Sequence, residues 1–250
     1  MKIAVISDIH ANLPALEATL DDIGKRKVDK IICLGDLIGK GPSSKAVIDI
    51  CRENCDLIVQ GNWDYFLYRD YCALRDGEDK DVSERVRWYI NDAGSQRIEY
   101  LGSLPHSTEL HLSGKLIRLF HAHPLNFNRY YSTSPLEQRL ELFDYGKNSS
   151  INKVSDVAIY ADIHGAYMQT VSGKILINVG SVGNPLDITQ SSYIILEGEE
   201  NSYDESCFNI QFIRVPYDIA RAISIAKTAS VPDLEGYISE LTTATYFRRS

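Results

Sequence analysis

Carboxylate, histidine and asparagine side chains recur at five points along this chain of 250 residues. In chain order these side chains are Asp8 with His10, Asp36, Asn62, His121 with His123, and Asp162 with His164. Oxygen and imidazole ligands without thiolates suit manganese, iron or zinc ions. Two such ions held roughly 3.5–4 Å apart form a clamp for in-line phosphoryl displacement. The residue types therefore predict a two-metal site that cleaves phosphoesters.

Short apolar segments stand directly before these polar side chains. Residues 2–7 form a nearly continuous apolar run that ends at Asp8, and residues 30–34 repeat the pattern before Asp36. Runs of this length are typical of buried strands. Open α/β sheets bind ligands beyond the carboxyl ends of their strands, so we expect the ligands to gather at such an edge. A third short strand, 57–59, is predicted to lead into Asn62.

The rest of the chain predicts helices on the sheets and a second sheet. Helical spacing of apolar residues predicts helices over 13–25, 43–52, 218–227 and 233–243. Further short apolar runs predict a second sheet with many antiparallel neighbours, built from 116–120, 157–161, 175–179, 193–196 and 210–215. The organisation predicted is one domain over 1–250. Cap-like insertions are expected at about 64–105, partly helical around 84–100, and at about 124–150.

Composition restricts the classes of partner. The formal net charge is −8, whereas a general nucleic-acid-binding surface would show a basic stripe. No nucleic acid is therefore expected as a stable partner, and a phosphate substrate would be attracted by bound cations in a carboxylate-rich cleft. No apolar run approaches the roughly 20 residues that span a bilayer, and the first residues lack signal-peptide features. We expect a cytoplasmic protein without a membrane partner, and its five cysteines are predicted to be free thiols.

Each polar side chain also has a structural alternative. Aspartate and histidine at the end of a strand often serve as caps or turn formers, and the side chain of Asn62 could instead form an Asx turn. Joint occurrence favours the metal site, because five such points each follow an apolar run.

The ordered motifs resemble those of the calcineurin-like metallophosphoesterases, in particular a small prokaryotic branch of phosphodiesterases and diadenosine tetraphosphate hydrolases. The resemblance extends from residue 2 to about 218. The matching segments are Ser7–Leu13, Gly35–Pro42, Gly61–Asp64, Phe120–His121, Ala161–Gly165, Asn178–Gly183 and Val215–Asp218. It implies an α/β (α+β layered) fold, a four-layer αββα sandwich with two mixed sheets flanked by helices.

The resemblance also implies a ligand set. One metal would take Asp8, His10, Asp36 and His164, and the other would share Asp36 and add Asn62, His121 and Asp162. Asp36 and Asn62 would serve catalysis, and a metal-bridging hydroxide would attack phosphorus in line. The implied cofactors are two divalent or trivalent ions, manganese or iron, with zinc as the alternative.

Two positions depart from the family pattern. Asp162 stands where the family has the first histidine of its Gly-His-x-His motif. A carboxylate there adds negative charge and hardness, which favours manganese or iron over zinc. The alternative is that Asp162 orients a ligand or a water instead of binding metal.

Trp63 stands where the family has a histidine that can protonate the leaving group. An indole N–H donates a hydrogen bond but cannot shuttle a proton, and general-acid assistance is worth ~10²–10⁴ in rate. A phosphate leaving group, with a pKa of about 6 by analogy with phosphoserine, needs this help less than an alkoxide, whose pKa lies near the value of about 15.7 for water. The expected activity is therefore cleavage of a phosphoanhydride in a (di)nucleoside polyphosphate such as diadenosine tetraphosphate.

Alternatives to this activity are a general phosphodiesterase, a phosphomonoesterase or protein phosphatase, and a scaffold that has lost catalysis. Trp63 is a candidate for stacking on a nucleobase. Lys40 and Arg129 are candidate phosphate contacts, with ordinary solvated charges as the alternative. His123 is a candidate substitute acid, or else a solvent-facing histidine, and Asp64 is expected to hold its loop. The oligomeric state is left open.

Overall fold

The computed structural model describes residues 1–77, 82–146 and 152–247. Within these ranges the strands are β1 (Lys2–Ile6), β2 (Lys30–Cys33), β3 (Leu57–Ile58), β4 (Ser107–Leu112), β5 (Lys115–Phe120), β6 (Val157–Tyr160), β7 (Tyr167–Val171), β8 (Lys174–Asn178), β9 (Ser191–Glu197) and β10 (Asn209–Val215). The helices are α1 (Leu13–Lys25), α2 (Ser44–Asn54), α3 (Asn62–Arg75), α4 (Glu84–Ala93), α5 (Ser95–Gly102), α6 (Leu136–Glu141), α7 (Ile219–Ala229) and α8 (Leu234–Thr243).

The strands form two mixed five-stranded sheets. The first has the order β10-β9-β1-β2-β3, and the second has the order β4-β5-β6-β8-β7. Parallel pairs join β1, β2 and β3 in the first sheet and β5, β6 and β8 in the second. Antiparallel pairs complete both sheets at their edges. This arrangement confirms the predicted αββα fold class.

The core lies in layers because alternate residues of a strand point to opposite faces. In β1, Ile3 and Val5 pack between the two sheets, where they meet residues such as Ile159. Ala4 and Ile6 face the other way and pack with the helices. The outer face of the second sheet is covered by α6 and the chain around it, through residues that include Phe120, Tyr130, Phe143 and Tyr160.

The predicted membership of the second sheet is wrong for two strands. Segments 193–196 and 210–215 were expected in the second sheet, but they form β9 and β10 of the first. β9 pairs antiparallel with β1, for example at Ala4 and Ile195. Apolar periodicity identifies a strand but carries no information about which sheet completes its hydrogen bonds.

Sequence patterns also missed several elements. The strand β7 alternates between half-buried and exposed residues, and it pairs with another strand on one side only. Helices α3 and α4–α5 occupy the first predicted insertion and α6 the second, while residues 78–81 and 147–150 of those insertions lie outside the described residues. None of the described helices has the length and apolar character required to cross a bilayer.

Candidate metal centre and its cavity

The candidate ligands sit on strained turns that leave the strands. Asp8, His10, Asp36, Asp162 and His164 all adopt positive φ, between 47° and 64°. This left-handed conformation costs roughly 1–2 kcal/mol for a residue other than glycine and persists only where the surroundings enforce it. Here the turns are cross-braced, since the Asp8 and His10 backbone N–H groups each donate to the neighbouring turn at 3.0 Å.

Three buried histidines present the same nitrogen to the centre of the site. In each imidazole, Nδ1 lies within hydrogen-bond distance of a backbone carbonyl, with the pairs His10 to Ile38, His121 to Leu34 and His164 to Asn184. When the imidazole is neutral, donation from Nδ1–H leaves Nε2 with its lone pair directed inward. Outer hydrogen bonds of this kind orient metal-binding histidines.

The Asp8 carboxylate lies at the centre of these lone pairs. Its Oδ1 atom is 3.3 Å from Nε2 of His164, 3.7 Å from Nε2 of His10 and 3.9 Å from Nε2 of His121. This oxygen is buried and has no hydrogen-bond partner among the described residues. Nε2 of His10 and Nε2 of His164 are 3.1 Å apart. An unpaired carboxylate oxygen beside facing lone pairs requires a cation for its stabilisation.

Asp36 lies between the two halves of the site. Its Oδ2 atom is 3.6 Å from Nε2 of His10 and 3.5 Å from Nε2 of His121. Its Oδ1 atom accepts the backbone N–H of Trp63 at 2.8 Å, and Asn62 Oδ1 lies 3.2 Å from Nε2 of His121. Asp36 thus faces a histidine of each predicted metal site, and its role as the shared ligand stays a prediction.

The donor set fits two metal ions. The candidate ligand atoms form two groups, and within each group all atoms lie within 4.8 Å of one another. One group consists of Asp8, His10 and His164, and the other of Asp8, Asp36 and His121. All of these residues are buried, and nitrogen and oxygen donors without thiolate suit first-row ions. The structure brings the predicted ligands together, and their metal roles stay predictions.

The charges of the ligands influence one another strongly. Burial raises the pKa of Asp8, but the imidazoles of His164, His121 and His10 lower it by more, so this pKa lies far below its usual range. Burial raises the pKa of Asp36 and lowers that of His10. Burial also acts to lower the pKa of His121, which the carboxylates of Asp36 and Asp8 nevertheless raise well above its usual value. The cluster thus contains an anionic centre.

Asp64 lies beneath this cluster and holds two loops together. Its carboxylate accepts the backbone N–H groups of Asp36 at 2.9 Å, Leu37 at 3.1 Å and Gly61 at 3.0 Å. These bonds connect the loop after β2 to the start of α3. They are the contacts that the predicted loop-holding role requires.

Asp162 is engaged by an arginine. Arg129 donates from Nε to Oδ2 of Asp162 at 2.7 Å and from Nη2 to Oδ1 at 2.9 Å. Oδ1 of Asp162 is also 3.9 Å from Nε2 of His121. Both oxygens of the predicted ligand are therefore occupied by a guanidinium, which favours the alternative that Asp162 orients another group. The pair also keeps the pKa of Arg129 above its usual range.

Lys40 is paired as well. Its ammonium group donates to Glu240 Oε2 at 2.6 Å, and Glu240 is 5 % exposed. The same carboxylate accepts the side-chain amide of Asn184 at 3.1 Å and the backbone N–H of Phe247 at 3.2 Å. The charge of this predicted phosphate contact is thus offset by a buried acid.

Trp63 is enclosed by its neighbours. The ring lies edge-on to His10 and to Tyr89, with centroid distances of 5.9 and 5.8 Å. A Cβ atom on Gly39 would lie 2.2 Å from the ring, so only glycine fits at that position. The guanidinium of Arg85 lies over the ring, 5.3 Å from its centroid. Stacking of a base on Trp63 would have to displace one of these groups.

His123 lies apart from the cavity lining. Its Nδ1 atom accepts the backbone N–H of Leu125 at 3.1 Å, and its ring stacks on Tyr130 with centroids 5.2 Å apart. Burial lowers its pKa. Its role as a substitute acid stays a prediction, and no contact described here supports it.

A cavity of about 590 Å³ opens beside Asp36, Asp162 and His164, three of the predicted ligands. Its wall includes the cationic side chains Lys40, Arg85 and Arg129, and the far side is formed by α8 and the chain end, including Gly236, Tyr237, Glu240 and Ala244–Phe247. Sequence reasoning missed Arg85 and the contribution of α8. The amphipathic pattern of α8 predicted a helix but could not show what it covers.

Comparison with known proteins agrees with this geometry. The chain is 35% identical over 228 residues to an uncharacterized protein of Methanocaldococcus jannaschii, covering 88% of this chain and 89% of that protein. It is 30% identical over 101 residues to a symmetrical bis(5′-nucleosyl)-tetraphosphatase of Erwinia tasmaniensis, covering 35% and 37% of the two chains. A crystal structure of a metallophosphoesterase from Sphaerobacter thermophilus shares the fold, with a TM-score of 0.72, 24% identity, and coverage of 98% of this chain and 100% of that one.

A family model also matches most of the chain. The calcineurin-like phosphoesterase superfamily domain matches residues 1–201, a range that contains every predicted metal ligand. Together with the two-sheet fold and the convergent ligands, this match shows that the chain belongs to the calcineurin-like phosphoesterase superfamily.

Proposed function

We propose that this protein is a metal-dependent hydrolase that cleaves a phosphoanhydride bond of a (di)nucleoside polyphosphate such as diadenosine tetraphosphate. The choice of bond depends on one observation. Among the described residues that line the cavity, His164 is the one histidine, and its Nδ1 is bound to Asn184 while its Nε2 faces the ligand cluster. No uncommitted imidazole is available there to protonate a leaving group.

The chain's residues divide the work of such a site. Asp8, His10, Asp36 and His164 would hold one ion, and Asp36, Asn62 and His121 would hold the second. Two ions bound there supply a water of lowered pKa and offset charge on the phosphoryl oxygens. Bound cations also explain how a chain of net charge −8 attracts an anionic substrate, because they reverse the local field.

The pKa of the leaving group determines how much the cleavage rate falls when no general acid is present. General-acid assistance of ~10²–10⁴ in rate equals about 3–5 kcal/mol of barrier at 1.36 kcal/mol per tenfold. An alkoxide leaving group needs this stabilisation. A phosphate with a pKa of about 6 leaves largely unprotonated at neutral pH, so anhydride cleavage retains most of its rate with Trp63 in place of histidine.

The nucleotide part of the proposal has two supports. The cavity of about 590 Å³ lies within the range of about 300–1,000 Å³ common for ligand pockets. The Erwinia tasmaniensis relative bears the name of a symmetrical bis(5′-nucleosyl)-tetraphosphatase. Both are compatible with a substrate larger than a simple phosphate monoester.

The test is a substrate panel with manganese-reconstituted protein. Rates are measured with diadenosine tetraphosphate, bis-p-nitrophenyl phosphate, p-nitrophenyl phosphate and phosphoserine. We expect the highest kcat/KM for the dinucleotide and loss of all turnover in Asp36→Asn. Asp21→Asn, at an exposed helix position, is the matched control and should retain activity.

Two results would contradict the proposal. Turnover of phosphoserine at the rate of the dinucleotide would remove the leaving-group argument. Full activity of Asp36→Asn would remove the metal centre from catalysis.

A further inference from the structure

The three cationic side chains of the cavity wall differ in their partners. Lys40 is paired with the buried carboxylate of Glu240, and Arg129 is bound through two hydrogen bonds to Asp162. Arg85 makes no hydrogen bond or ion pair within the described parts of the chain; its contact is with the face of Trp63. Arg85 therefore carries the one uncompensated positive charge among these three.

The position of Arg85 is nevertheless defined. It lies in the first turn of α4, and its guanidinium is 5.3 Å from the centroid of the Trp63 ring. The ring itself is held edge-on by Tyr89 and is lodged against Gly39. Cation–π attraction favours a guanidinium over the face of a tryptophan ring. It orients the guanidinium and leaves all five N–H donors available.

Arg85 also stands at a junction. Arg85, Trp63 and Tyr89 line both the main cavity and a smaller, mostly apolar cavity of about 210 Å³. Asn62, a predicted metal ligand, lines the smaller cavity as well. A group bound to Arg85 would therefore lie where the two cavities meet.

We propose that Arg85 binds a phosphate group of the substrate beyond the phosphate that is cleaved, and that Trp63 is the positioning residue that holds its guanidinium. This inference rests on the proposed function and narrows its substrate class to compounds with two or more linked phosphates. Guanidinium binds phosphate through paired N–H donors. Lys40 and Arg129 would each have to break an ion pair with a carboxylate before binding phosphate, whereas Arg85 has no such ion pair with a described residue to break.

Isothermal titration with non-hydrolysable probes tests the proposal without turnover. Methylenediphosphonate offers two linked phosphoryl groups, and methylphosphonate offers one. We expect Arg85→Ala in the manganese-loaded protein to raise the Kd for the diphosphonate about tenfold, because the variant loses charge-assisted hydrogen bonds whose strength is reduced by exposure. The Kd for methylphosphonate should change less than about twofold, and added salt should reduce the difference.

A matched control comes from α2. The guanidinium of Arg52 also lies over an aromatic ring, 4.4 Å from the centroid of Tyr100, and Arg52 lines neither cavity. Arg52→Ala should leave both Kd values unchanged. Arg85→Lys keeps the charge but lacks the paired donors, so its Kd for the diphosphonate should lie between those of the wild type and Arg85→Ala. This variant also keeps the proposal testable if the alanine variant folds poorly.

The role of Trp63 has its own readout. Trp63→Leu should weaken diphosphonate binding as much as Arg85→Ala does, and the double variant should lose no more, because the two residues act as a unit. Binding of the β,γ-methylene analogue of ATP to the same variants shows whether the linked phosphates belong to a nucleotide or to an inorganic polyphosphate. A larger affinity for the analogue than for the diphosphonate indicates a nucleotide substrate, and equal affinity indicates an inorganic polyphosphate.

Equal losses for both phosphonates in Arg85→Ala, or no loss for either, would overturn the proposal. Full diphosphonate affinity in Trp63→Leu would overturn the positioning role. These outcomes are independent of the activity panel, because selective binding by Arg85 can be seen in a protein that fails to cleave anhydrides, and anhydride cleavage can persist without any contribution from Arg85.

Discussion

Substitution Trp63→His tests whether the missing proton donor sets the leaving-group preference. The new imidazole would lie close to His10, whose ring centroid is 5.9 Å from that of Trp63. If it acts as a general acid, kcat for a diester with an alkoxide leaving group should rise by ~10²–10⁴, or about 3–5 kcal/mol of barrier. The kcat for diadenosine tetraphosphate should change less than about threefold, since its leaving group has a pKa of about 6.

The same substitution removes packing, which fixes the choice of measurement. Loss of the ring frees the space beside Gly39 and the platform under Arg85. Complete truncation of a buried tryptophan costs roughly 3–5 kcal/mol, so for this half-buried ring we expect the free energy of unfolding to fall by about 1–2 kcal/mol. KM for polyphosphates should also rise. The readout is therefore kcat at saturating substrate, for a series of diesters with graded leaving-group pKa.

The control is Trp88→His, the same chemical change at a tryptophan that packs on Tyr89 outside the cavity lining. It should leave the dependence of kcat on leaving-group pKa unaltered. Equal gains for good and poor leaving groups in Trp63→His would refute the reasoning. So would a steeper dependence on leaving-group pKa than in the wild type.

Three further predictions concern metal, charge and pH. Asp36→Asn should lower the bound manganese measured by atomic emission and remove the thermal stabilisation that manganese confers on the wild type, which would be about 2.7 kcal/mol at 100 times Kd. Glu240→Ala leaves Lys40 without its buried partner and should cost about 3 kcal/mol in urea unfolding; a loss under about 0.5 kcal/mol would show that the pair contributes little. Burial raises the pKa of Asp187, but Arg214 and backbone N–H groups lower it by more, so its stabilisation is fully present above the unfolded pKa of about 3.9 and is lost as pH falls from there through the lower folded pKa. Asp187→Asn should therefore destabilise the protein at pH 7 and progressively less as the pH is lowered below about 3.9, and a pH-independent difference would contradict this assignment.

Local patterns predicted the parts of the fold that depend on local information. The apolar runs before Asp8 and Asp36 identified β1 and β2, because a buried strand must be apolar along its length. Helical spacing identified α1 and α8. The edge strand β7 was missed because its residue types do not follow its burial pattern, since the apolar Met168 is exposed and the polar Gln169 is half-buried.

The candidate site was predictable to the level of residue type. Ligand atoms such as those of His10 and His121 converge because each follows a strand end, and that order is visible in the chain. The orientation of each imidazole was not predictable, because it depends on backbone carbonyl groups such as those of Leu34 and Ile38 in a neighbouring segment. Nor was the enclosure of Trp63 by Gly39 and Arg85.

The sequence by itself determined which atoms can bind metal and in what order the strands present them, because residue identity and local periodicity are properties of the chain alone. Tertiary structure alone decided which charges are free. Lys40 meets Glu240 across 200 residues of sequence, and Arg129 meets Asp162 across 33. Electrostatic pairing depends on distance in space, which no spacing along the chain encodes. The two predicted phosphate contacts are therefore compensated, and of the three cations in the cavity wall only Arg85 has no ion pair with a described residue.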